Sequence, residues 1–402
     1  MKSAFFTHVW GRAGITPAQR YDELWRQVEA ADRLGFDYAF SVEHHCTPRE
    51  SWMTSPMAFG TGAATRTDRI RFGPFGWVAP LRHPLHLVED VATLDQLSGG
   101  RLEVGLASGV GREPFAPFGA DFDNRKSLTI EAADLLIAAL TADDPFDFDG
   151  PHHRLRDVDL SFGAVQKPYP PMWIPTTDRK MLRYLSRIGG HTGSTMIVPR
   201  AAMAAPYRHF VSWYRTQQGT TAEPRIGYWS LVHIAPTDAE AEVRAAEHVT
   251  HCMSETLSYT KVRRSGDQVA PASELSTPDI LANSGDFRFL MDHNLIFVGS
   301  SATVADRITA AAQEGHFNVL LGEFAFGDLA GGRERESMEL YAAEVMPRIA
   351  DFTPIPPAEP VQPLAGTSGP AADRVPVGAG AVYGGDEERQ VAARLEALGY
   401  LE

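Results

Sequence analysis

Short apolar runs alternate along this chain with segments whose apolar residues recur every three or four positions. The apolar runs predict buried strands, and the three- and four-residue spacing predicts amphipathic helices. The clearest helix covers residues 86–97, and Gly99 stands where a helix C-cap is expected. The eight predicted strands cover residues 2–10, 38–42, 70–79, 101–106, 171–175, 193–198, 225–235 and 317–324.

This order of elements bears on the choice between two α/β architectures. Eight strands separated by helices favour a closed (β/α)8 TIM barrel, whereas an open doubly wound sheet more often begins with a glycine-rich phosphate fingerprint. No G-x-G-x-x-G sequence follows the first predicted strand. We therefore expect an α/β fold of the (β/α)8 TIM barrel type.

Two segments depart from the regular alternation. Residues 236–296 are longer than one crossover helix needs, so we predict an insertion between strands 7 and 8 that partly covers the mouth of the barrel. Residues 353–384 are dense in Pro, Gly and Ala and predict a flexible linker. Residues 385–402 predict either a short amphipathic helix docked on a neighbouring subunit or a mobile tail. The barrel would then occupy residues 1–352.

Composition and charge narrow the classes of partner. The net charge of -14 argues against nucleic acid, because nucleic-acid binding relies on clustered Lys and Arg. The two cysteines, Cys46 and Cys252, are too few for a disulfide scaffold and too far apart for a local metal knuckle. No apolar run approaches the roughly 18 residues of a membrane span, and the chain opens on a strand-like run. We expect a cytoplasmic protein without nucleic-acid or membrane partners.

Candidate chemistry lies at the ends of the predicted strands. Glu43-His44-His45 directly follows the second apolar run, and the fourth run ends in the small residues 107–111. Small residues let a ligand approach the backbone closely. Phe6, His8 and Trp10 stand at the end of the first strand, where they would form either a substrate wall or part of the core. In a barrel these positions all meet at the carboxyl-terminal face.

Five sequence motifs resemble the bacterial luciferase-like family of flavin-dependent monooxygenases. They are E-H-H at 43–45, V-A-P-L-R-H-P at 78–84, E-D-V-A-T-L-D-Q-L-S-G-G-R at 89–101, V-G-S-S-A-T-V-A at 298–305 and E-V-M-P at 344–347. The resemblance implies a TIM barrel that binds FMN at its carboxyl-terminal face. It further implies that a separate flavin reductase supplies the reduced FMN, which reacts with O2 to oxygenate a small organic substrate.

The resemblance also assigns roles to individual residues. His44 corresponds to the family's catalytic histidine, and a neutral imidazole can accept and return a proton near pH 7. Of its neighbours, His45 is expected to bind substrate, and Glu43 or His45 to orient nearby groups, since alternate strand-end residues point in opposite directions. The family's cofactor contacts map onto Val78, Ala79, Ala107, Ser108, Arg125, Thr176 and Thr177.

Several of these cofactor positions have a second interpretation. Thr176 and Thr177 match a phosphate-binding turn but also suit ordinary helix capping. Arg125 matches a basic phosphate-binding position, and a solvated helix arginine is the alternative. The strand end at Val78 and Ala79 commonly carries a non-prolyl cis peptide in the family, and a strand that simply ends at Pro80 is the alternative. Ala107 and Ser108 stand where luciferase has cysteine and arginine, which argues against bioluminescence.

Other functions and assemblies stay open on the sequence alone. A deazaflavin F420-dependent hydride-transfer enzyme shares this barrel, and a non-catalytic flavin-binding relative is a further alternative. The small residues 58–64 predict a helix with a flat surface, which would serve either a homodimer or close packing on the chain's own barrel. The substrate is not identified, because the loops that form the pocket vary most on this scaffold.

Overall fold

The computed structural model describes residues 1–48, 50–255, 275–329 and 332–355. Its strands are β1 (Lys2–Thr7), β2 (Tyr38–Ser41), β3 (Arg71–Pro74), β4 (Trp77–Val78), β5 (Val104–Ala107), β6 (Phe146–Asp149), β7 (Arg154–Val158), β8 (Met172–Trp173), β9 (Thr192–Thr195), β10 (Ile226–Ile234), β11 (Phe297–Gly299) and β12 (Val319–Glu323).

Helices separate most of these strands. They are α1 (Pro17–Leu34), α2 (Pro56–Arg66), α3 (Pro84–Ser98), α4 (Arg125–Thr141), α5 (Arg179–Ile188), α6 (Arg200–Gln218), α7 (Asp238–Glu255), α8 (Thr277–Ala282), α9 (Phe287–Asp292), α10 (Ser301–Gly315), α11 (Arg333–Leu340) and α12 (Met346–Ile349), with a π-helical turn at Tyr341–Val345 and 3₁₀ turns at Ala79–Leu81 and Ala116–Phe118. Within the described ranges, no helix combines the length and apolar character needed to cross a membrane.

Parallel pairing joins the strands in the order β11-β10-β12-β1-β2-β3, with β9 beside β10, and separately joins β4-β5-β8. Isolated parallel bridges between Phe72 and Leu102, and between Trp173 and His191, link the two groups. The pair β6 and β7 is an antiparallel hairpin. The predicted α/β class with parallel strands is confirmed.

All eight predicted strands have a counterpart, although most are shorter than predicted. The first was predicted to reach Trp10 but ends at Thr7, because Val9 turns the chain at a positive φ of 52°. The third divides into β3 and β4, and a cis peptide bond joins Phe75 to Gly76 between them. The non-prolyl cis bond that the family resemblance placed at Val78 and Ala79 therefore lies three residues earlier. The hairpin β6–β7 and the short strand β11 were not predicted.

Local capping sequences fix the helices that border the strand ends. The His83 ring accepts a hydrogen bond from the Leu85 N–H at 3.2 Å, and α3 then runs to the predicted C-cap Gly99, whose φ is 63°. The Asp178 carboxylate caps α5 by accepting from the backbone N–H groups of Lys180 and Met181. The turn that contains Thr176 is thus held at the start of a helix.

The small residues of α2 pack against neighbouring helices of the same chain. A Cβ on Gly60 would lie 2.5 Å from Leu94 of α3, and one on Gly62 would lie 2.3 Å from Trp25 of α1. Close packing within the fold therefore accounts for both glycines. The homodimer stays a prediction.

The predicted insertion and C-terminal extension lie partly outside the described residues. Between β10 and β12 the structure describes α7, α8, α9, β11 and α10, but residues 256–274 are not among the described ones. Whether this segment covers the mouth stays a prediction. The same holds for the linker and tail beyond residue 355.

His233 of β10 is expected to make stability depend on pH. Its side chain is fully buried, neither ring nitrogen has a hydrogen-bond partner in the described structure, and burial and then Arg244 lower its pKa to about 4. Below about pH 6.5 the unfolded chain binds a proton that the native protein does not, so stability present above that pH is lost as pH falls towards 4.

The measurement is urea unfolding at several pH values between about 7.5 and 5. We expect His233→Leu to lose less stability over this range than the wild type, by up to about 1.4 kcal/mol per pH unit below about 6.5. Equal slopes for the two proteins would contradict the assignment. His86→Leu, at a histidine whose side chain is 80% exposed, is the matched control and should follow the wild type.

Candidate functional site

A cavity of about 390 Å³ opens where the carboxyl ends of the parallel strands meet. Its volume falls in the range of about 300–1,000 Å³ that is usual for small-molecule sites. The described residues that line it come from the ends of several strands and from the loops that follow them, and they form two groups. We call Phe6, His8, His44 and Trp229 the aromatic group, and Ser108, Arg125, Lys126 and Thr176 the cationic group.

The two histidines of the aromatic group stand at the ends of neighbouring strands. Thr7 of β1 pairs with Ser41 of β2, so the residues that follow each strand emerge side by side. The rings of His8 and His44 meet edge to face with centroids 5.5 Å apart. The backbone N–H of His44 donates to the Met53 carbonyl at 3.0 Å, and its Nδ1 lies 3.4 Å from Oε2 of Glu50.

A buried carboxylate supports the aromatic group from below. Glu323, at the end of β12, accepts hydrogen bonds from the backbone N–H of His8 at 2.9 Å and from the indoles of Trp10 and Trp229 at 2.7 and 2.8 Å. Its Oε2 lies 2.8 Å from Nδ1 of His8. Since the carboxylate already accepts three fixed N–H groups, we assign the proton in this last contact to Nδ1. In neutral His8, Nε2 is then an acceptor.

A second buried carboxylate ties β2 to β4. Glu43 accepts from the Val78 backbone N–H at 2.7 Å, lies 2.8 Å from Nε2 of His45, and forms an ion pair with Arg82. The His45 ring in turn packs against Phe118, with centroids 4.8 Å apart. Glu43 therefore orients His45 and the backbone at the cavity wall.

The cationic group gathers around the first turn of α4. Arg125 is the first residue of this helix, its guanidinium lies 3.9 Å from the centroid of the Phe122 ring, and it donates to the Phe122 carbonyl at 3.0 Å. Among the described residues, no carboxylate forms an ion pair with Arg125. Oγ of Ser108 lies 3.1 Å from Oγ1 of Thr129 on the same helix. A helix N-terminus with an unpaired cation favours an anion.

Electrostatics distinguish the two cations of this group. Partial burial lowers the pKa of Arg125, although the guanidinium stays charged near neutral pH. Lys126 instead has a partner, because its Nζ lies 3.2 Å from Asp178. Burial would raise the pKa of Asp178, but Lys126 and the capped backbone N–H groups outweigh it and lower that pKa. Lys126 shares its charge with Asp178, so Arg125 is the cation of this group that is more available to an anionic ligand.

Most residues predicted from the sequence line this one cavity. The predicted residues on its wall are His44, Val78, Ala107, Ser108, Arg125, Thr176, Phe6, His8 and His45. Ala79, Thr177 and Trp10 lie away from the lining. Trp10 is only 1% exposed and its indole N–H is taken by Glu323, so it lies behind His8 rather than on the substrate wall.

Four functional candidates were missed. They are Glu50, Lys126, Trp229 and Glu323. The sequence did contain a feature that points to Glu323, since it is a single carboxylate at the end of the apolar run 317–324. Trp229 falls inside a mostly apolar, buried strand, where the sequence does not distinguish a core residue from a wall residue.

Comparison with known proteins matches this chain to one family. The family model for luciferase-like monooxygenases matches residues 1–317. The oxygenase component of a flavin-dependent trigonelline monooxygenase from Acinetobacter baylyi is 25% identical over 347 residues, which are 84% of this chain and 92% of that protein.

Two solved structures share the fold. The oxygenating constituent of 3,6-diketocamphane monooxygenase from Pseudomonas putida, in complex with FMN, has a TM-score of 0.73 at 19% identity, covering 89% of this chain and 99% of that one. An F420-dependent secondary alcohol dehydrogenase has a TM-score of 0.66 at 14% identity, covering 87% and 99%. At these identities the likeness concerns the fold alone.

Proposed function

The chain belongs to the luciferase-like monooxygenase family, and on that premise we propose that it binds reduced FMN in the cavity at the strand ends and oxygenates a small organic substrate with O2. The resemblance seen in the sequence and the enzyme class, a flavin-dependent monooxygenase, are confirmed. The choice of FMN, the residue roles and the substrate class are our proposal. The observation that carries it is the presence of Arg125 and His44 on the wall of one cavity.

The donor set of the cavity fits FMN. The cationic group supplies a guanidinium, an ammonium and two hydroxyls, which suit a phosphate. The aromatic group supplies flat apolar surface that suits a ring system. The backbone also comes close to the cavity at Gly109, where a Cβ would lie 2.5 Å from Phe115, so a side chain there would be excluded.

The protein's own residues have three tasks in this reaction. When bound, reduced FMN supplies the electrons that activate O2, one atom of which enters the substrate. His44 takes up and returns a proton at its imidazole. His8, held by Glu323 through Nδ1, fixes the wall beside His44, and Phe6 and Trp229 exclude water from the apolar part of the cavity.

The assembly of the working enzyme is part of the proposal. We expect a separate reductase to supply reduced FMN, because the trigonelline relative is the oxygenase component of its monooxygenase. The two groups of paired strands are joined at both ends by the isolated bridges, and this supports a closed (β/α)8 barrel with its mouth at the cavity. A homodimer and a cytoplasmic location stay expectations.

Anaerobic titration with reduced FMN, reduced riboflavin and reduced F420 tests which cofactor the protein binds. Riboflavin lacks the phosphate, so the wild type should bind FMN more tightly than riboflavin. Arg125→Ala should weaken FMN binding by about 1.5–3 kcal/mol, or roughly 10- to 150-fold, and leave riboflavin binding nearly unchanged. The expected loss of FMN binding free energy equals the usual contribution of one charge-assisted hydrogen bond.

Arg179→Ala is the matched control for this titration. Arg179 is also the first residue of a helix and also lies over an aromatic ring, Trp213, at 5.7 Å, but it is exposed and outside the cavity lining. It should bind FMN as the wild type does. Equal affinity of the wild type for FMN and riboflavin would contradict the phosphate site. Tighter binding of F420 than of FMN would favour the hydride-transfer alternative.

A further inference from the structure

Three side chains at the cavity wall could together bind a metal ion, a use that the proposed oxygenation does not require. One ligand atom from each of His8, His44 and Glu50 lies within 4.8 Å of the other two. Two imidazoles and one carboxylate are a common ligand set for catalytic zinc and other divalent transition ions. Within the described ranges, this is the one group of three such residues that comes together in this way.

The measured spacing suits a tetrahedral ion. Ligand atoms about 2.0–2.2 Å from a tetrahedral zinc ion are about 3.3–3.6 Å apart from one another. Nδ1 of His44 and Oε2 of Glu50 are 3.4 Å apart. This distance fits two ligands of one ion, and His8 lies beside them with its ring 5.5 Å from that of His44.

The surroundings of His8 match those of a metal-binding histidine. Such a histidine usually donates its other ring N–H to a carboxylate, which fixes the tautomer and the orientation of the ring. His8 makes this contact through Nδ1 to Glu323 at 2.8 Å, so its Nε2 is the nitrogen available to an ion. The carboxylate also brings negative charge close to the place where a cation would bind.

The loop that carries Glu50 is held against the two histidines by hydrogen bonds. The backbone N–H of Glu50 donates to the Thr47 carbonyl at 3.0 Å, and the hydroxyl of Ser51 donates to the His8 carbonyl at 2.6 Å. The Glu50 residue is only 2% exposed. The third ligand is therefore built into the wall rather than carried on a free surface side chain.

We propose that His8, His44 and Glu50 form a binding site for a divalent transition ion such as Zn²⁺, and that the ion inhibits the enzyme by occupying His44. Binding needs no redox change, only neutral imidazoles and an ionised carboxylate. The inhibitory part rests on the proposed role of His44 in oxygenation. The binding part does not, and it is measured on the full chain without flavin.

The experiment is a titration with Zn²⁺ alone against a chromophoric chelator, together with the visible absorption spectrum after addition of Co²⁺. Cys46 is exposed and thiolates bind zinc, so all proteins carry Cys46→Ser. In this background we expect one Zn²⁺ per chain and the intense visible bands of tetrahedral Co²⁺. His44→Ala and Glu50→Gln should each weaken Zn²⁺ binding by at least about tenfold.

The double substitution His83→Ala and His86→Ala is the matched control. These two histidines also lie near each other, with ring centroids 6.1 Å apart, but outside the cavity, and their removal should leave Zn²⁺ affinity unchanged. Absence of binding, or equal affinity in either His44→Ala or Glu50→Gln, would overturn the proposal. Far-UV circular dichroism checks that the variants fold. The Co²⁺ spectrum is recorded on the Cys46→Ser protein, which keeps all three proposed ligands, so it tests the site even where a variant fails to fold.

Discussion

Replacing His44 with alanine is expected to lower turnover by about 10²- to 10⁴-fold, the usual contribution of a positioned general acid or base. The imidazole lies on the cavity wall between His8 and Glu50, and its backbone is anchored to Met53. Alanine removes the proton acceptor without disturbing that anchor. Because the phosphate contacts lie in the cationic group, FMN affinity should change by no more than a few-fold.

The assay measures product formed from reduced FMN, O2 and a substrate found by screening aldehydes, ketones and sulfonates. His45→Ala is the informative neighbour: this side chain contacts Glu43 and Phe118, so its loss should raise KM and largely preserve kcat. His86→Ala, whose side chain is 80% exposed, should match the wild type. Unchanged turnover in His44→Ala would remove its catalytic assignment and leave it a wall residue.

The fold was predictable because hydrophobic periodicity alone separates its strands from its helices. The run that became β10 is mostly apolar, with Ser230 and His233 as its polar residues, and all nine of its residues are buried. The interruption between β3 and β4 was not predictable, since the residues on both sides of the cis bond at Phe75 are apolar and the run 70–79 predicts a single strand. The pattern of apolar and polar residues does not depend on whether one peptide bond is cis or trans.

The site was predictable where chemistry and strand ends coincide. Glu43, His44 and His45 are polar residues at the end of an apolar run, and the structure places all three on the cavity wall. The contact between His8 and Glu323 was not predictable, because 315 residues separate them and only the pairing of β1 with β12 brings them together. Trp10 was assigned to the wall because strand 1 was predicted three residues too long.

Replacing Glu323 with alanine is expected to lower the free energy of unfolding by about 3–5 kcal/mol. The Glu323 side chain is fully buried, and its removal leaves the His8 backbone N–H and two indole N–H groups without their acceptor. Each such buried donor costs about 1–3 kcal/mol. Water entering from the cavity can satisfy some of them, which keeps the total below the simple sum.

Urea unfolding measures this loss as a lower midpoint with an unchanged slope. Glu336→Ala is the matched control, because Glu336 also accepts from one cation, Arg244, at 2.8 Å but its side chain is 45% exposed; its loss should cost no more than about 1 kcal/mol. A loss of less than about 1 kcal/mol in Glu323→Ala would mean that water replaces the carboxylate fully. The expected loss of about 3–5 kcal/mol would mean that Glu323, which orients His8, also holds β1, β10 and β12 together. Substitutions at this site would then also lower the stability of the fold.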